Sequence, residues 1–439
     1  MNGYVVHGGR KLRGEVKVNA SKNSAVAILI ASLVNERKTT IKNLPRIEEV
    51  FRIIEVLESM GVSASWRTKH ELEIIPPKKL NLEKINIEAA GKTRSIILFL
   101  GPLIHKFKKF SLPSCGGCKL GRRTIMPHVY ALEEFGIKIK KTEDKLIVDS
   151  SKLRSPQELI MYESGDTATE NTIMAACLIP GKTVIKFASA NYQVQDLCYL
   201  LQKFGVKIEG IGTTTLTIHG KQKIAQEIDY YLTEDPIEAM LFISAAIATK
   251  SSIIIKRCPI EFLELELEKL KKMGFQFKIL KKYKTKNGFG KLADIKTFPS
   301  DLSAPVEKLY GRPFPGLNID NLPFFVPIAT QAKGETLIHD WVYENRAIYY
   351  TELNRLGAKI NLADPHRVFI EGPTPLAGAE IISPPALRPS AIILVAMLAA
   401  KGKSVLKNTY AIERGYEDLC GRLKKLGAKI ACDIEYYEI

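Results

Sequence analysis

The sequence predicts an α/β protein of two domains, each assembled from three βαβ-type repeats. Three observations carry that prediction. An apolar residue, a glycine and a short β-prone run follow one another six times, at Met60-Gly61-Val62, Phe135-Gly136-Ile137, Phe204-Gly205-Val206, Met273-Gly274-Phe275, Leu356-Gly357-Ala358 and Leu426-Gly427-Ala428. Each occurrence closes a segment that fits an amphipathic helix, and most of the units open on a short loop that feeds a β-branched strand. The 439 residues also exceed one ordinary core, which makes two domains the natural division.

The six glycines follow one another at intervals of 75, 69, 69, 83 and 70 residues. Each stands where the C-terminus of a helix wants a left-handed residue. The helices before them carry apolar residues at helical spacing, as in Tyr416–Leu426 with Leu419, Leu423 and Leu426 on one face. The strands that open the units are Lys38-Thr39-Thr40-Ile41, Lys182-Thr183-Val184-Ile185, Ser252-Ile253-Ile254-Ile255, Glu335-Thr336-Leu337-Ile338 and Lys403-Ser404-Val405-Leu406. A period of about 70 residues is too long for the common solenoids and suits a complete subdomain. Three such subdomains would pack around apolar helices expected over Ile237–Thr249 and Ser390–Ala400.

Composition narrows the function classes. Hydrophobic residues make up 46% and charged residues 25%, the balance of a soluble globular protein. The longest apolar runs, Ala27–Val34 and Ala391–Ala400, fall short of the roughly 20 residues a membrane span needs. No secretory signal opens the chain, so a cytoplasmic location and no membrane partner are expected. Seven scattered cysteines do not make a disulfide framework. Cys115 and Cys118 form a lone C-x-x-C with no second pair to complete a zinc site, and the other five are expected to be reduced thiols, mostly buried. The net charge of +17 points to an anionic partner. The densest cluster, Lys281–Lys286, has no nucleic-acid-binding motif around it, so no nucleic-acid partner is expected.

Seven short motifs then occur in one order along the repeat. They are Ser21-Lys22-Asn23-Ser24-Ala25; Lys92-Thr93-Arg94 with Leu100-Gly101-Pro102-Leu103; Leu112-Pro113 with Gly116-Gly117-Cys118-Lys119-Leu120-Gly121-Arg122-Arg123; Pro315-Gly316-Leu317-Asn318-Ile319-Asp320; Tyr343-Glu344-Asn345-Arg346; Leu387-Arg388-Pro389-Ser390; and Arg414-Gly415-Tyr416-Glu417. Together they resemble the enolpyruvyl transferase superfamily, and within it the UDP-N-acetylglucosamine branch of peptidoglycan synthesis more closely than the shikimate-phosphate branch. The resemblance runs from Tyr4 to about Ile430. It implies two inside-out α/β barrels facing a cleft, with an N-terminal domain over 22–232 and a C-terminal domain of 1–21 plus 233–439. It also implies transfer of the carboxyvinyl group of phosphoenolpyruvate to a hydroxyl, with release of phosphate.

That chemistry accounts for the residue types. Phosphoenolpyruvate carries a phosphate and a carboxylate, and arginine matches both groups bidentately. The resemblance assigns Lys22, Arg123, Arg346, Arg388 and Arg414 to these anionic groups, and Asn23 and Arg94 to substrate binding as well. A proton must reach the methylene carbon and another must leave the acceptor hydroxyl, with an oxocarbenium-like centre between the steps. Cys118, beside Arg122 and Arg123, is the candidate acid, assisted by Lys22. Asp320 is the candidate base or the orienting partner of the hydroxyl. No metal or organic cofactor is called for.

The acceptor side departs from the family. After Arg123 the family pattern Pro-Val-Asp-Leu-His reads Thr124-Ile125-Met126-Pro127-His128. A Lys and a Ser-Val-Gly that meet the diphosphate are replaced by Glu163 and Gly165-Asp166-Thr167, and Arg-Glu-Pro-Glu by Ala190-Asn191-Tyr192-Gln193. Ala386 replaces an Asp. Two carboxylates near a diphosphate would repel it. The acceptor therefore stays open between UDP-N-acetylglucosamine, the family default, and another hydroxyl such as that of a nucleotide. A catalytically silent anion-binding homologue is the third alternative, against which stand Cys118 and Asp320, which mere binding does not need.

Overall fold

The computed structural model describes residues 3–114, 116 and 124–432. Five four-stranded sheets and one three-stranded sheet are formed among these residues, one for each glycine-marked repeat. In five of them a strand pairs antiparallel on one side and parallel on the other. Gly181–Lys186, for instance, pairs antiparallel with Thr215–Gly220 and parallel with Glu158–Ile160. Every opening strand expected from the β-branched runs is present, as Thr39–Lys42, Gly181–Lys186, Ser252–Pro259, Gly334–His339 and Gly402–Lys407.

The six repeat glycines all have positive φ. Each donates its N–H to the carbonyl three residues back, and in five cases the next residue reaches the carbonyl five back, as in Val62 to Leu57 at 3.1 Å. That bond pattern ends a helix on a left-handed residue. Two helices differ from expectation. Ala347–Leu356 is a 3-10 helix. The segment 416–426 is helical only over Leu419–Lys425, because Asp418 adopts φ 46° and its carboxylate accepts the N–H of Gly421, which starts the helix there.

Four buried helices lie at the centres of the units, three of them mainly apolar and α2 polar in its first half: α1 (Lys22–Ala31), α2 (Asp166–Cys177), α3 (Pro236–Ala248) and α4 (Leu387–Ala399). Every residue of α3 is buried, as are Ser24–Ala31 in α1 and Leu387–Leu398 in α4. A helix that is apolar on all sides must be covered on all sides. Here the helices lie inside and the sheets outside.

The chain divides into two compact units, one of residues 20–233 and one of 3–19 with 234–432 among the described residues. In the second unit Gly3–Gly8 pairs antiparallel with Gly402–Lys407 and with Lys429–Ala431, and Arg13–Lys17 pairs parallel with Ser252–Pro259. The N-terminal segment is thus two strands in two different sheets, each filling a place that the later repeats leave open.

One cysteine expectation is overturned. Cys420 and Cys432 form a disulfide with Cα atoms 6.3 Å apart, because the chain folds back at Gly427 and lays the strand beside the helix. Cys177, Cys198 and Cys258 are free and buried as expected. No described helix is long and apolar enough to cross a membrane.

Candidate active site

In the unit of residues 20–233, the motif residues collect at helix N-termini. Ser21 caps α1 by accepting the N–H of Ser24 at 3.1 Å, which places Lys22 and Asn23 in the first turn. A cation there opposes the helix dipole. The charge is met by Glu49, whose Oε2 lies 3.3 Å from Lys22 Nζ. The other oxygen of Glu49 accepts from Thr93 at 3.0 Å and Ser95 at 3.2 Å, the residues on either side of Arg94. One buried carboxylate therefore ties Lys22 to the arginine loop. Arg94 in turn donates to the carbonyl of Thr124 at 2.9 Å.

Asn23 donates to Tyr192 Oη at 3.1 Å and to Gln193 Oε1 at 3.0 Å. Gln193 passes the chain on to Glu170 at 3.3 Å. Burial, with the nearby charge of Asp166, pushes the Glu170 carboxyl well above the usual range, against the hydrogen bond from Gln193. With both amide hydrogens of Asn23 committed, its oxygen is the group left to meet a donor. Asp166, at the start of α2, accepts from Ser189 Oγ at 2.5 Å and from Asn191 Nδ2 at 2.9 Å. The replaced loop 190–193 is thus matched to the replaced residue Asp166. Glu163 is exposed.

In the other unit Asp320 is a quarter exposed and stands between two buried arginines, 3.3 Å from Arg346 Nη1 and 3.3 Å from Arg388 Nη2. Arg346 is 1% exposed and grips Asp340 with Nε at 2.6 Å and Nη2 at 2.8 Å. Burial by itself would lower this guanidinium, and Asp340 more than offsets it. Tyr350 donates to the same carboxylate. Arg388 lies in the first turn of α4, again against the dipole, and donates to Tyr416 Oη at 2.5 Å. Arg414 is half-buried and ends the short helix Tyr410–Glu413, two residues before that tyrosine. Glu266 holds the Asp320 loop from beneath, accepting from Asn318 N at 3.1 Å and Asn321 Nδ2 at 2.8 Å.

Asp320, Arg346 and Arg388 are thus brought together in one unit; in the other, Glu49 ties Lys22 to the residues flanking Arg94, while Asn23 bonds separately to Tyr192 and Gln193. Cys118 and Arg123 lie outside the described residues. Sequence reasoning missed Glu49, Glu170, Asp340 and Glu266. Each is a buried acid whose only sequence signal is its place at a strand end or in a helix's first turns.

The profile of the family described as EPSP synthase (3-phosphoshikimate 1-carboxyvinyltransferase) matches residues 6–423. A UDP-N-acetylglucosamine 1-carboxyvinyltransferase of Treponema denticola is 34% identical over 438 residues, covering 98% of this chain and 99% of that relative. One from Bradyrhizobium diazoefficiens is 35% identical over 428 residues, covering 97% of each. Among solved structures, the enolpyruvyl transferase NikO from Streptomyces tendae superimposes with a TM-score of 0.85 at 22% identity, covering 98% of both chains. EPSP synthase from Acinetobacter baumannii does so with 0.76 at 19% identity, covering 98% of this chain and 100% of that one.

Proposed function

The chain belongs to the EPSP synthase family of enolpyruvyl transferases, and from that premise we propose that it transfers the carboxyvinyl group of phosphoenolpyruvate to a hydroxyl of UDP-N-acetylglucosamine. The observation that carries this reading is the pair of cations set against helix dipoles, Lys22 on α1 and Arg388 on α4. Placing a cation at a helix N-terminus is unfavourable unless an anion offsets it. Lys22 is paired with Glu49 and Arg388 with Asp320, and the charge of an anionic substrate would add to that offset.

The roles follow from chemistry. The acceptor oxygen bonds to C2 of phosphoenolpyruvate and gives up its proton, for which Asp320 is the candidate. A proton reaches the methylene carbon from the acid, assigned to Cys118 with Lys22. The C2–O bond to phosphate then breaks, a proton leaves the new methyl group, and the products are the enol ether and inorganic phosphate. Arg346 holds the Asp320 loop through the carbonyl of Ile319, to which it donates at 2.7 Å. Asp340 fixes the arginine in turn.

A second reading, another hydroxyl acceptor such as a nucleotide, is favoured by Glu163, an exposed carboxylate where the family places a lysine on the diphosphate. Phosphate release from phosphoenolpyruvate across a panel of acceptors tests both readings. Turnover with UDP-N-acetylglucosamine is the expected result, improved in affinity by Glu163→Lys. Turnover with a nucleotide alone would establish the second reading, and none with any acceptor would overturn both.

A further inference from the structure

The repeat that builds the fold also shows what one unit adds to it. From the repeat glycine to the end of the hairpin that follows takes 13 to 15 residues in four units: Gly61 to Ile75, Gly136 to Asp149, Gly205 to Gly220 and Gly357 to Gly372. In the unit of Gly274 it takes 23 residues, to Thr297, which accounts for most of the long 83-residue interval. The two strands, Phe277–Lys284 and Lys291–Thr297, are eight and seven residues long, against three to six in those other hairpins. Their turn is closed by Thr285, which donates its N–H to the carbonyl of Gly290 at 2.9 Å. Four sister units do without this length, so the fold does not require it.

The added length is basic. Residues 277–297 carry seven lysines, no arginine and one acid. That acid, Asp294, accepts from Tyr283 Oη at 2.7 Å and from the main-chain N–H of Arg257 at 3.0 Å. Lys291 is offset by Glu261 at 3.2 Å. Lys278, Lys281, Lys282 and Lys284 are exposed and form no ion pair among the described residues. Lys278 stands directly opposite Lys296, and Lys284 directly opposite Lys291. Like charges facing each other across two strands are destabilising, and an anionic partner offsets that cost. Phe277–Lys284 is the edge of its sheet, where lysines also block pairing with a further strand. That guard does not account for Leu280 at the bulge and Phe289 in the turn, 46% and 37% exposed among the lysines.

The residue types narrow the partner. Lysine is a hydrated point charge suited to a diffuse anionic surface, whereas recognition of a discrete phosphate or carboxylate favours the arginine fork. Single-stranded nucleic acid needs aromatic faces to stack on. Here Phe277 is stacked on Phe275 with ring centroids 5.5 Å apart, and Tyr283 is tied to Asp294 and covered by Lys281, 5.4 Å from its ring. We propose that this hairpin is a peripheral docking surface for an anionic lipid bilayer, with the lysines on the headgroups and Leu280 and Phe289 in the acyl boundary. Such a contact needs no membrane span, and it replaces the expectation of no membrane partner, which rested on spans alone.

Cosedimentation of the full chain with vesicles of phosphatidylcholine, with and without about 30% phosphatidylglycerol, tests it. Binding is expected only to the anionic vesicles, and it weakens as salt rises from about 0.1 to about 0.5 M. Lys281→Gln, Lys282→Gln and Lys284→Gln combined should lower that binding about a hundredfold. Lys42→Gln, Lys186→Gln and Lys250→Gln combined remove the same charge elsewhere and should leave it within about threefold. Phe289→Ser should weaken it several-fold with the salt dependence unchanged. Phosphate release from phosphoenolpyruvate in the absence of vesicles, equal to wild type in every variant, shows that each is folded. No binding to anionic vesicles, equal binding to neutral ones, or equal losses in the two triple variants would overturn the proposal. Binding to single-stranded RNA but not to vesicles, abolished by the hairpin triple, would assign the patch to nucleic acid instead.

Discussion

Asp235 shows how capping and burial compete at one residue. Its carboxylate caps α3 by accepting the N–H of Ile237 at 2.8 Å, yet the residue is only 4% exposed. Burial raises its pKa to about 6, the charge of Arg388 opposing and that of Glu238 adding to the rise. The native state therefore holds this proton more tightly than the unfolded chain. The stability it contributes is complete below the unfolded pKa near 4 and is lost as pH rises through about 6. Asp235→Asn retains the cap without the titration. It is expected to flatten the fall in stability between about pH 4 and 6, by on the order of 2–3 kcal/mol, in urea melts at several pH values. An unchanged pH profile would count against this assignment. No sequence signal separates Asp235 from an ordinary exposed cap; its burial under Arg388 and Tyr416 is a property of the packed unit.

At the scale of the element, the repeat glycines were legible because a left-handed helix end is a local demand that one residue type meets best. Their individual costs of replacement are not local. At Gly61, φ is +93° and an added Cβ would meet nothing closer than Pro77 at 3.7 Å, so Gly61→Ala incurs the backbone strain alone, about 1–2 kcal/mol. At Gly136, φ is +80° and the Cβ would fall 2.4 Å from the carbonyl oxygen of Lys152. Gly136→Ala should therefore destabilise clearly more than Gly61→Ala in denaturant titrations of the two variants. Equal losses would show that the Lys152 loop moves aside at little cost. The late start of the helix at Leu419 has the same lesson. Tyr416–Asp418 carry helical spacing, but the carboxylate of Asp418 competes for the backbone and wins.

For the whole molecule the net charge of +17 is the dominant long-range property. Many lysines form exposed ion pairs, such as Lys42–Asp229 and Lys186–Glu158, which contribute little to stability. The surplus still raises the local concentration of a small anion. The kcat/KM for phosphoenolpyruvate is expected to fall several-fold as salt rises from about 0.05 to about 0.5 M, since screening shortens the reach of that field. The kcat at saturation should change less. A salt-independent kcat/KM would mean that capture depends only on the arginines in contact.

The sequence by itself determined the α/β class, the six repeats and the family, because each rests on local chemistry or on motifs in a set order. It also pointed to Lys22, Arg346 and Arg388 as cations suited to an anionic substrate, and to Asp320 as a candidate base. Only the tertiary structure decided which acids hold them. Glu49 reaches Lys22 from 27 residues away and Glu266 reaches Asn318, in the Asp320 loop, from 52, and a buried acid is recognisable only by what surrounds it. The Cys420–Cys432 bond and the matching of Asp166 to Ser189 and Asn191 were likewise decided by the fold. Spacing along the chain carries periodicity, whereas pairing between distant side chains is set by packing, where a buried charge without a partner costs several kcal/mol and the arrangement that supplies one prevails.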